Sequence, residues 1–482
     1  MQPYIPADEV DDQPTGFGTS VGSSERYSAV AVSAKGAVKW LSISFFLLFS
    51  GFQASQGLQS SLNSQLGLVN LAVLYSVFGI SLLFAPKVVS SLEERLGGLP
   101  WVLTLSGSCY VLSILVNLMR PSHEPDLLTW VPYIASFASL GMGAGLLWTA
   151  QAEYLGRCAC AAARRPQTHA TLAASTAELN GRFFSFFQFA GISGLLLVAV
   201  AFKAGDSRVS LFLFLSGLSV LGCLMFLGLP NQRQHSLMPQ AEHAAASETL
   251  QLSFDTFFIR LLPIIFSNGL MLGFFLGPFL EKAVAESLGP DLVAPVLATF
   301  YAVNGVSTRL WGKLIGQRVV SSAAATLVSA VIVVLFGCVY LVALPTPSFE
   351  LNSKGEWVGI PGSEKQGWEL LEAHLTIFGS TVWFAFADSY FESQLPAAVQ
   401  SKYQSTSRGL AANAAYKLWQ TLGTASQFLL ALVLTFDEQL VVLVSFTFLS
   451  IWATVCSESR PSVEEQELIR PVIEPLEVAV RI

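Results

Sequence analysis

Residues Ala323–Leu344 read AAATLVSAVIVVLFGCVYLVAL, a continuous apolar stretch without a charged side chain. A helix needs about 20 predominantly apolar residues to cross the hydrocarbon core of a bilayer. The stretch is therefore predicted to form a transmembrane helix. Its length and composition decide the fold class of the chain.

Eleven further stretches of similar length and polarity lie on both sides of this one along the sequence. They are Val38–Gln59, Leu66–Val89, Trp101–Leu118, Leu128–Leu147, Phe183–Phe202, Ser210–Leu229, Phe257–Leu280, Leu292–Trp311, Leu371–Phe391, Leu410–Leu434 and Leu440–Cys456. The pattern predicts an all-α polytopic membrane protein with twelve transmembrane helices.

The overall composition agrees with this class and argues against other classes. The chain has 482 residues, of which 52% are hydrophobic and 12% are charged, and its mean hydropathy is +0.56. A soluble domain carries about 25% charged residues. A chain with half that density cannot cover a globular surface with ionisable groups, which disfavours soluble, disordered and nucleic-acid-binding proteins. We expect the lipid bilayer as a partner and no nucleic acid.

Motifs for catalysis or metal binding are missing from the sequence. The 6 Cys contain no Cys-x-x-Cys pair and the 5 His are scattered, so we expect no metal site and no cofactor. Neither a nucleophile with a base nor a phosphate-binding loop occurs in a soluble segment large enough to fold. We therefore expect a protein that is not an enzyme.

The twelve stretches fall into two groups of six on either side of a polar linker. We predict a disordered N-terminal tail at 1–36, an N-terminal six-helix half at 37–229, a linker at 230–253, a C-terminal six-helix half at 254–457 and a C-terminal tail at 458–482. Transporters of this size commonly consist of two such halves around a central cavity.

The distribution of Lys and Arg predicts the orientation in the membrane. If the N-terminus is cytosolic, the cytosolic loops hold about twice as many of these residues as the opposite loops. Because basic residues are retained on the cytosolic side, we predict that both termini and the linker are cytosolic. The membrane itself, plasma membrane or an endomembrane, is left open.

Two acid and base pairs recur in the two predicted halves. Glu153 ends the sequence Trp-x-Ala-x-Ala-Glu, Asp388 ends a similar Trp-x-Ala-x-Ala-Asp sequence, and Arg182 and Lys417 follow their acids at the same spacing. The match indicates an internal repeat or a coincidence of composition. Asp388 is either a carboxylate that senses a proton or cation, or one partner of a fixed salt bridge with Lys417.

Polar side chains form one face at the end of the first predicted helix. Gln56, Gln59 and Asn63 lie on one side of a helix. They are expected to line a cavity or a partner helix, and hydrogen bonding between helices without any ligand explains the pattern nearly as well.

The turns after the second and eighth predicted helices contain charges that suit a latch between helices. Glu94 and Arg95 lie in the first turn, and Arg309 and Lys313 lie in the second. A charge network there would close the cytosolic side. The alternative is a solvated turn that follows the positive-inside rule. Gly316 stands where the second turn would need an acid, so we do not expect a symmetric latch.

Several motifs together resemble the Unc-93 family. They include Gln56-Gly57-Leu58-Gln59-Ser60-Ser61-Leu62, Trp148-Thr149-Ala150-Gln151, Ala387-Asp388 and Tyr416-Lys417-Leu418-Trp419. The resemblance extends from the first to the eleventh predicted helix. It implies the major facilitator fold with two six-helix halves. Characterised members of the family are described as an accessory subunit of potassium channels and as an escort of innate immune receptors.

The resemblance also marks individual positions. The family's motif positions match Gln59, Gln151, Asp388, Gln394, Lys417 and Trp419. Two positions depart from the pattern, because Asn413 stands where the family tends to have Phe and Glu153 stands where the residue is usually uncharged.

The function expected from the sequence is that of a regulator or escort of ion channels, of the potassium type, or of receptors. The alternative is a secondary transporter that couples a small solute to protons or cations. The partner would accordingly be a channel or receptor protein, or a small solute or proton.

Overall fold

The computed structural model describes residues 21–62, 64–119, 127–163, 171–204, 207–231, 246–352 and 357–458. Asn63, most of the predicted N-terminal tail, most of the predicted linker and nearly all of the predicted C-terminal tail lie outside these residues.

The described chain is mostly helical. The helices are α1 Val21–Leu62, α2 Ser64–Leu96, α3 Leu99–Leu115, α4 Leu127–Ala163, α5 Leu172–Ala204, α6 Arg208–Met225, α7 Ala246–Leu252, α8 Thr256–Phe274, α9 Glu286–Leu288, α10 Val293–Gly316, α11 Ser322–Ala343, α12 Gly367–Tyr403, α13 Gly409–Leu430 and α14 Phe436–Glu458. Short 3₁₀ turns occupy Val116–Leu118, Phe226–Gly228 and Pro290–Leu292, and a π-helix occupies Phe275–Ala285. An antiparallel hairpin of β1 Phe349–Leu351 and β2 Trp357–Gly359 joins α11 to α12.

Ten helical segments within the described ranges are long and apolar enough to cross a membrane. The predicted eighth and eleventh spans correspond to α10 and α13, which are helical but carry more polar side chains. Asn304 and Arg309 lie in α10, and Asn413, Lys417 and Gln420 lie in α13. Ten spans therefore follow from composition, whereas the number twelve stays a prediction.

Local sequence signals explain where several helices begin and end. Ser207 and Ser321 accept hydrogen bonds at the starts of α6 and α11, from the N–H groups of Ser210 and Ala324. Gly97 ends α2 in the left-handed conformation, with φ 89°, and its N–H donates to the carbonyl of Glu93. The long helices thus have defined ends even where they leave the apolar stretches.

The start of α8 is tied to the end of α12 by Asp255. Its carboxylate accepts from the N–H of Phe257 at 3.0 Å and from the hydroxyl of Tyr403 at 2.7 Å, and the Nη1 of Arg408 lies 3.8 Å away. Partial burial acts to raise the pKa of Asp255, but these two bonds and the guanidinium of Arg408 outweigh burial and hold the pKa below its ordinary value.

Buried apolar side chains form two large clusters that follow the chain order. One cluster comes from α1–α6, here called the first half, with Ala414 and Leu418 added from α13. The other comes from α7–α14, called the second half. Each half therefore has its own core, and α13 contributes to both.

Small residues bring the two halves into close contact along α5 and α10. A Cβ atom added to Gly181 would lie 2.7 Å from the Cα of Gly312 and 2.9 Å from the carbonyl oxygen of Thr308. These distances are shorter than a carbon contact allows, so both positions require glycine for this approach. A second contact between the halves joins the rings of Tyr75 and Phe428, whose centroids lie 5.6 Å apart.

Candidate functional site

A buried carboxylate in α12 lies at the centre of the second half. Asp388 is 2% exposed. Asn304 of α10 donates its amide to Oδ2 at 2.7 Å, and Asn268 of α8 donates to Oδ1 at 3.3 Å. Thr308 donates its hydroxyl to the amide oxygen of Asn304 at 3.1 Å and so orients that amide. Three helices thus converge on one carboxyl group.

The hydrogen bonds continue from Asp388 to a buried ion pair. Gln420 donates to Asn268 at 2.6 Å and to the Oε2 of Glu392 at 2.7 Å. Lys417 donates to the amide oxygen of Gln420 at 2.7 Å and lies 3.6 Å from the Oε1 of Glu392. We call this set, Asp388, Asn268, Asn304, Gln420, Glu392 and Lys417, the central network.

The central network reaches the first half through one aromatic contact. The ammonium of Lys417 lies 4.4 Å from the ring centroid of Trp148 in α4. A cation over an indole face is attracted by the negative face of the ring. The motif residues of the two halves therefore meet at this point.

The predicted pairing of Asp388 with Lys417 is wrong. Lys417 pairs with Glu392, which lies one helical turn after Asp388 on α12, and Asp388 is bonded by amides instead. The physical reason is depth along the helix, because Lys417 on α13 lies level with Glu392, whereas Asp388 faces the asparagines of α8 and α10.

The predicted pairing of Glu153 with Arg182 is wrong as well. Glu153 pairs with Arg157 at 2.8 Å, and Arg182 pairs with Glu178 at 2.6 Å, both within one helix at a spacing of four residues. Side chains four residues apart are neighbours on a helix surface. Each charge therefore finds a partner on its own helix.

A second buried cluster ties α2 to α4 near the ends of these helices, on the side of the membrane where α6 leads into the linker. We call this side the linker side. Arg157 forms two bonds to Glu93, with Nη1 to Oε1 at 2.6 Å and Nη2 to Oε2 at 2.9 Å. The side chain of Glu93 is fully buried and that of Arg157 is 6% exposed. The Nε–H of Arg157 donates to the Oε1 of Glu153 at 2.8 Å. We call Glu93, Glu153 and Arg157 the linker-side cluster.

Amide side chains of α12 and the residue that follows it connect this cluster to the second half. Gln404 donates to the Oε2 of Glu153 at 3.0 Å, and a side chain at Gly156 would overlap Gln404. Gln400 accepts from Asn180 at 2.7 Å and donates to a backbone carbonyl of α4 at 3.3 Å. The halves are therefore in hydrogen-bonded contact on the linker side.

The residues predicted to form a latch do not join this cluster. Glu94, Arg95 and Lys313 are exposed and Arg309 is half-buried. None of these four takes part in an ion pair within the described ranges. The buried acid is Glu93, one residue before the predicted Glu94, because the inner face of α2 passes through position 93.

The remaining predicted residues are placed as follows. Gln56 is half-buried in α1, and Asn63 and the side chain of Gln59 lie outside the described residues. Gln151 is buried in α4, and its amide nitrogen has no hydrogen-bond partner in the described part of the chain. Gln394 is buried in α12, below Asp388 toward the linker side.

The sequence did not single out Glu93, Arg157 or Gln404, and it did not indicate Asn268 and Asn304 as partners of Asp388. A usable signal was the position of both asparagines inside long apolar stretches, where an amide needs a partner. Among the described residues, no group of three His, Cys, Asp or Glu side chains is arranged to hold a metal ion.

Comparison with known proteins assigns the chain. A family model described as "Ion channel regulatory protein UNC-93" matches residues 59–455. The chain belongs to the UNC-93 family. The match contains the central network and the linker-side cluster, so both lie in the part of the chain that defines this UNC-93 protein.

Individual relatives of this UNC-93 protein come from animals and plants. It is 28% identical to the protein unc-93 homolog A of Xenopus laevis over 57% of this chain and 66% of that protein. It is 25% identical to the human protein unc-93 homolog A over 87% of this chain and 93% of that protein. It is 25% identical to UNC93-like protein 3 of Arabidopsis thaliana, of which it matches 59%. The chain therefore spans somewhat less than two thirds of the Xenopus and Arabidopsis relatives.

Solved structures with a similar fold include a transporter of the major facilitator superfamily. FucP in the outward conformation has a TM-score of 0.59 at 10% identity, over 89% of this chain and all of that chain. A bacterial homologue of the iron transporter ferroportin in the outward-facing state has a TM-score of 0.57 at 13% identity, over 88% of this chain and 99% of that chain. This UNC-93 protein is thus an integral multi-pass membrane protein with the major facilitator fold, as its sequence predicts.

Proposed function

We propose that this UNC-93 protein is a multi-pass accessory subunit that regulates ion channels of the potassium type, and that it is not an enzyme. The observation that carries the proposal is the family match over residues 59–455, whose description names ion channel regulation. The geometry supports it, because the side chains of the central network have partners within the chain. Asp388 accepts hydrogen bonds from two amides, and Glu392 pairs with Lys417.

Affinity isolation from native membranes, followed by mass spectrometry, tests this proposal. We expect a channel subunit to co-purify, and we expect its current to change when the two chains are expressed together. The variant Asp388→Asn should leave co-purification intact. Recovery of a receptor and no channel would overturn the regulation of channels and indicate an escort of receptors instead. Recovery of no membrane protein at all would contradict the proposal.

A second candidate function is secondary transport coupled to protons or cations. It is favoured by Asp388, which is 2% exposed, and by Glu392 one turn away, since such carboxylates inside a membrane mark ion pathways in many transporters. Proteoliposomes that contain the pH dye pyranine and carry a K⁺ gradient test it. Proton movement that requires the purified chain and is abolished by Asp388→Asn would support transport, and its absence would contradict coupling to protons and K⁺.

We also propose that both termini and the linker are cytosolic, with the domain boundaries predicted from the sequence. The excess of Lys and Arg on the linker side supports this orientation. An epitope tag placed in residues 232–245 tests it by antibody staining. The tag should be accessible only after permeabilisation, and staining of intact cells would reverse the orientation.

A further inference from the structure

A cavity separate from the central network lies on the linker side, where α5 and α11 begin and α10 and α12 end. Its volume is about 370 Å³. Both halves contribute to its polar lining, which consists of Thr171, Arg318, Ser321, Ser322, Gln394 and Ser401. No acidic side chain is among the described residues that line it.

Two helix starts face this cavity. Thr171 accepts from the N–H of Ala174 at the start of α5, and Ser321 accepts from the N–H of Ala324 at the start of α11. The first N–H groups of a helix have no carbonyl partner within that helix, and the helix dipole is positive at this end. Backbone groups of this kind bind phosphate in many proteins. Because α10 and α12 end at the same cavity, the helix dipoles oppose one another there, and the backbone offers a phosphate the first N–H groups of α5 and α11 and no net field.

Arg318 adds a full positive charge at the rim of the cavity. Its Nη2 donates to the hydroxyl of Thr171 at 3.3 Å, across the junction of the two halves. Its backbone φ is 58°, and no other non-glycine residue in the described part of the chain has a positive φ. Glycine is favoured at this position after a helix, so an arginine here carries a backbone cost that its side chain must offset.

Gln394 supplies the observation that points to a ligand. It lines the cavity, is 4% exposed, and its amide oxygen has no hydrogen-bond partner within the described residues. Its amide nitrogen is used, since it donates to the hydroxyl of Ser393 at 3.0 Å and toward the carbonyl of Ala177. A buried acceptor without a donor is unfavourable, and a rotation of the Gln394 amide toward the cavity would let a hydroxyl group there satisfy it.

We propose that this cavity binds a phosphate group carried by a polyol. The phosphate lies against Arg318 and the N–H groups at the start of α11, and a hydroxyl of the polyol donates to the amide oxygen of Gln394. The volume is sufficient for a phosphorylated six-carbon ring. The polyol is either the headgroup of a membrane lipid or a free sugar or inositol phosphate, because both present the same groups.

The decisive variant is Arg318→Gly, since glycine relieves the left-handed backbone while it removes the guanidinium. The unliganded variant should be at least as stable as the natural chain. With D-myo-inositol 1-phosphate as the probe, calorimetry on the purified full chain should show binding that falls about tenfold in Arg318→Gly. The matched control Lys87→Gln, an exposed base on the same side, should leave binding unchanged.

A second variant tests the hydroxyl contact independently. Gln394→Met should weaken binding of inositol 1-phosphate and leave the weaker binding of inorganic phosphate unchanged. The two sources are separated by measuring the melting temperature of the chain in nanodiscs that contain phosphatidylinositol and in nanodiscs of phosphatidylcholine alone. A higher melting temperature with phosphatidylinositol, without binding of the soluble probe, identifies the ligand as a lipid headgroup. Binding of the soluble probe alone identifies it as a free phosphate. Binding of neither, or an equal loss in Lys87→Gln, would overturn the proposal.

Discussion

Replacing Arg157 by methionine removes the centre of the linker-side cluster. The change leaves the carboxylates of Glu93 and Glu153 close together, with side chains that are 0% and 9% exposed. Breaking a buried ion pair by deleting one partner costs about 3 to 5 kcal/mol. For a unit the size of one half, each kcal/mol lowers the melting temperature by about 2 to 4 °C. Arg157→Met should therefore lower it by about 6 to 20 °C.

Thermal unfolding of the purified chain in one detergent measures this effect. The matched control is Arg182→Met, because Arg182 also pairs with a glutamate four residues away, but both side chains are about one-third exposed. An exposed pair contributes about 0 to 1 kcal/mol, so the control should lose at most about 4 °C. Arg157→Lys keeps the charge but loses the two-pronged bond to Glu93, and it should fall between the two.

A rescue variant separates charge from packing. In Arg157→Met combined with Glu93→Gln and Glu153→Gln, no charge is left in the cluster, and most of the lost stability should return. If Arg157→Met unfolds no earlier than Arg182→Met, the buried cluster does not stabilise the fold. If the rescue variant is as unstable as the single variant, lost packing and not the unpaired carboxylates explains the effect.

Three further changes test other parts of the structure by the same unfolding measurement. Lys417→Met should cost about 3 to 5 kcal/mol because it leaves Glu392 without its cation, and adding Glu392→Gln should restore stability. Gly181→Ala should cost about 1 to 3 kcal/mol by separating α5 from α10, whereas Gly379→Ala, where a Cβ meets no atom within 4 Å, should not destabilise. Asp255→Asn should lower the melting temperature at pH 7, and this difference should vanish as the pH falls below about 4, because a carboxylate with a lowered pKa stabilises only while it is ionised.

Hydropathy predicts the helices well, but it predicts their ends poorly. The sequence places a span at Leu128–Leu147, whereas α4 covers Leu127–Ala163, and it places another at Leu371–Phe391, whereas α12 covers Gly367–Tyr403. Apolar composition reports the part of a helix that contacts lipid or the apolar core. The extra turns of α4 and α12 carry Glu153, Arg157 and Gln400, which are polar because they bond other helices.

The sequence predicts which residues belong to the site more reliably than it predicts their partners. Asp388, Lys417 and Glu153 are all found in buried polar contacts, yet both predicted ion pairs are wrong. Spacing along the chain fixes which residues share a helix face, and so it favours pairs such as Glu153 with Arg157. Which face of α13 meets which turn of α12 depends on the packing of whole helices, and one turn decides between Asp388 and Glu392.

The two kinds of contact between side chains have different consequences for motion. None of the ion pairs among the described residues joins the first half to the second half, since each cation finds its carboxylate within its own half or next to the linker. The side-chain contacts that do cross include the aromatic ring under Lys417, the rings of Tyr75 and Phe428, the hydrogen bond from the exposed Arg318 to Thr171, and hydrogen bonds of amides such as Gln400 and Gln404. Each such hydrogen bond is worth about 0.5 to 1.5 kcal/mol, somewhat more at the carboxylate of Glu153, and water can replace it. Separation of the halves on the linker side therefore exposes no unpaired charge, so the interface between the halves can open while each half keeps its ionic core.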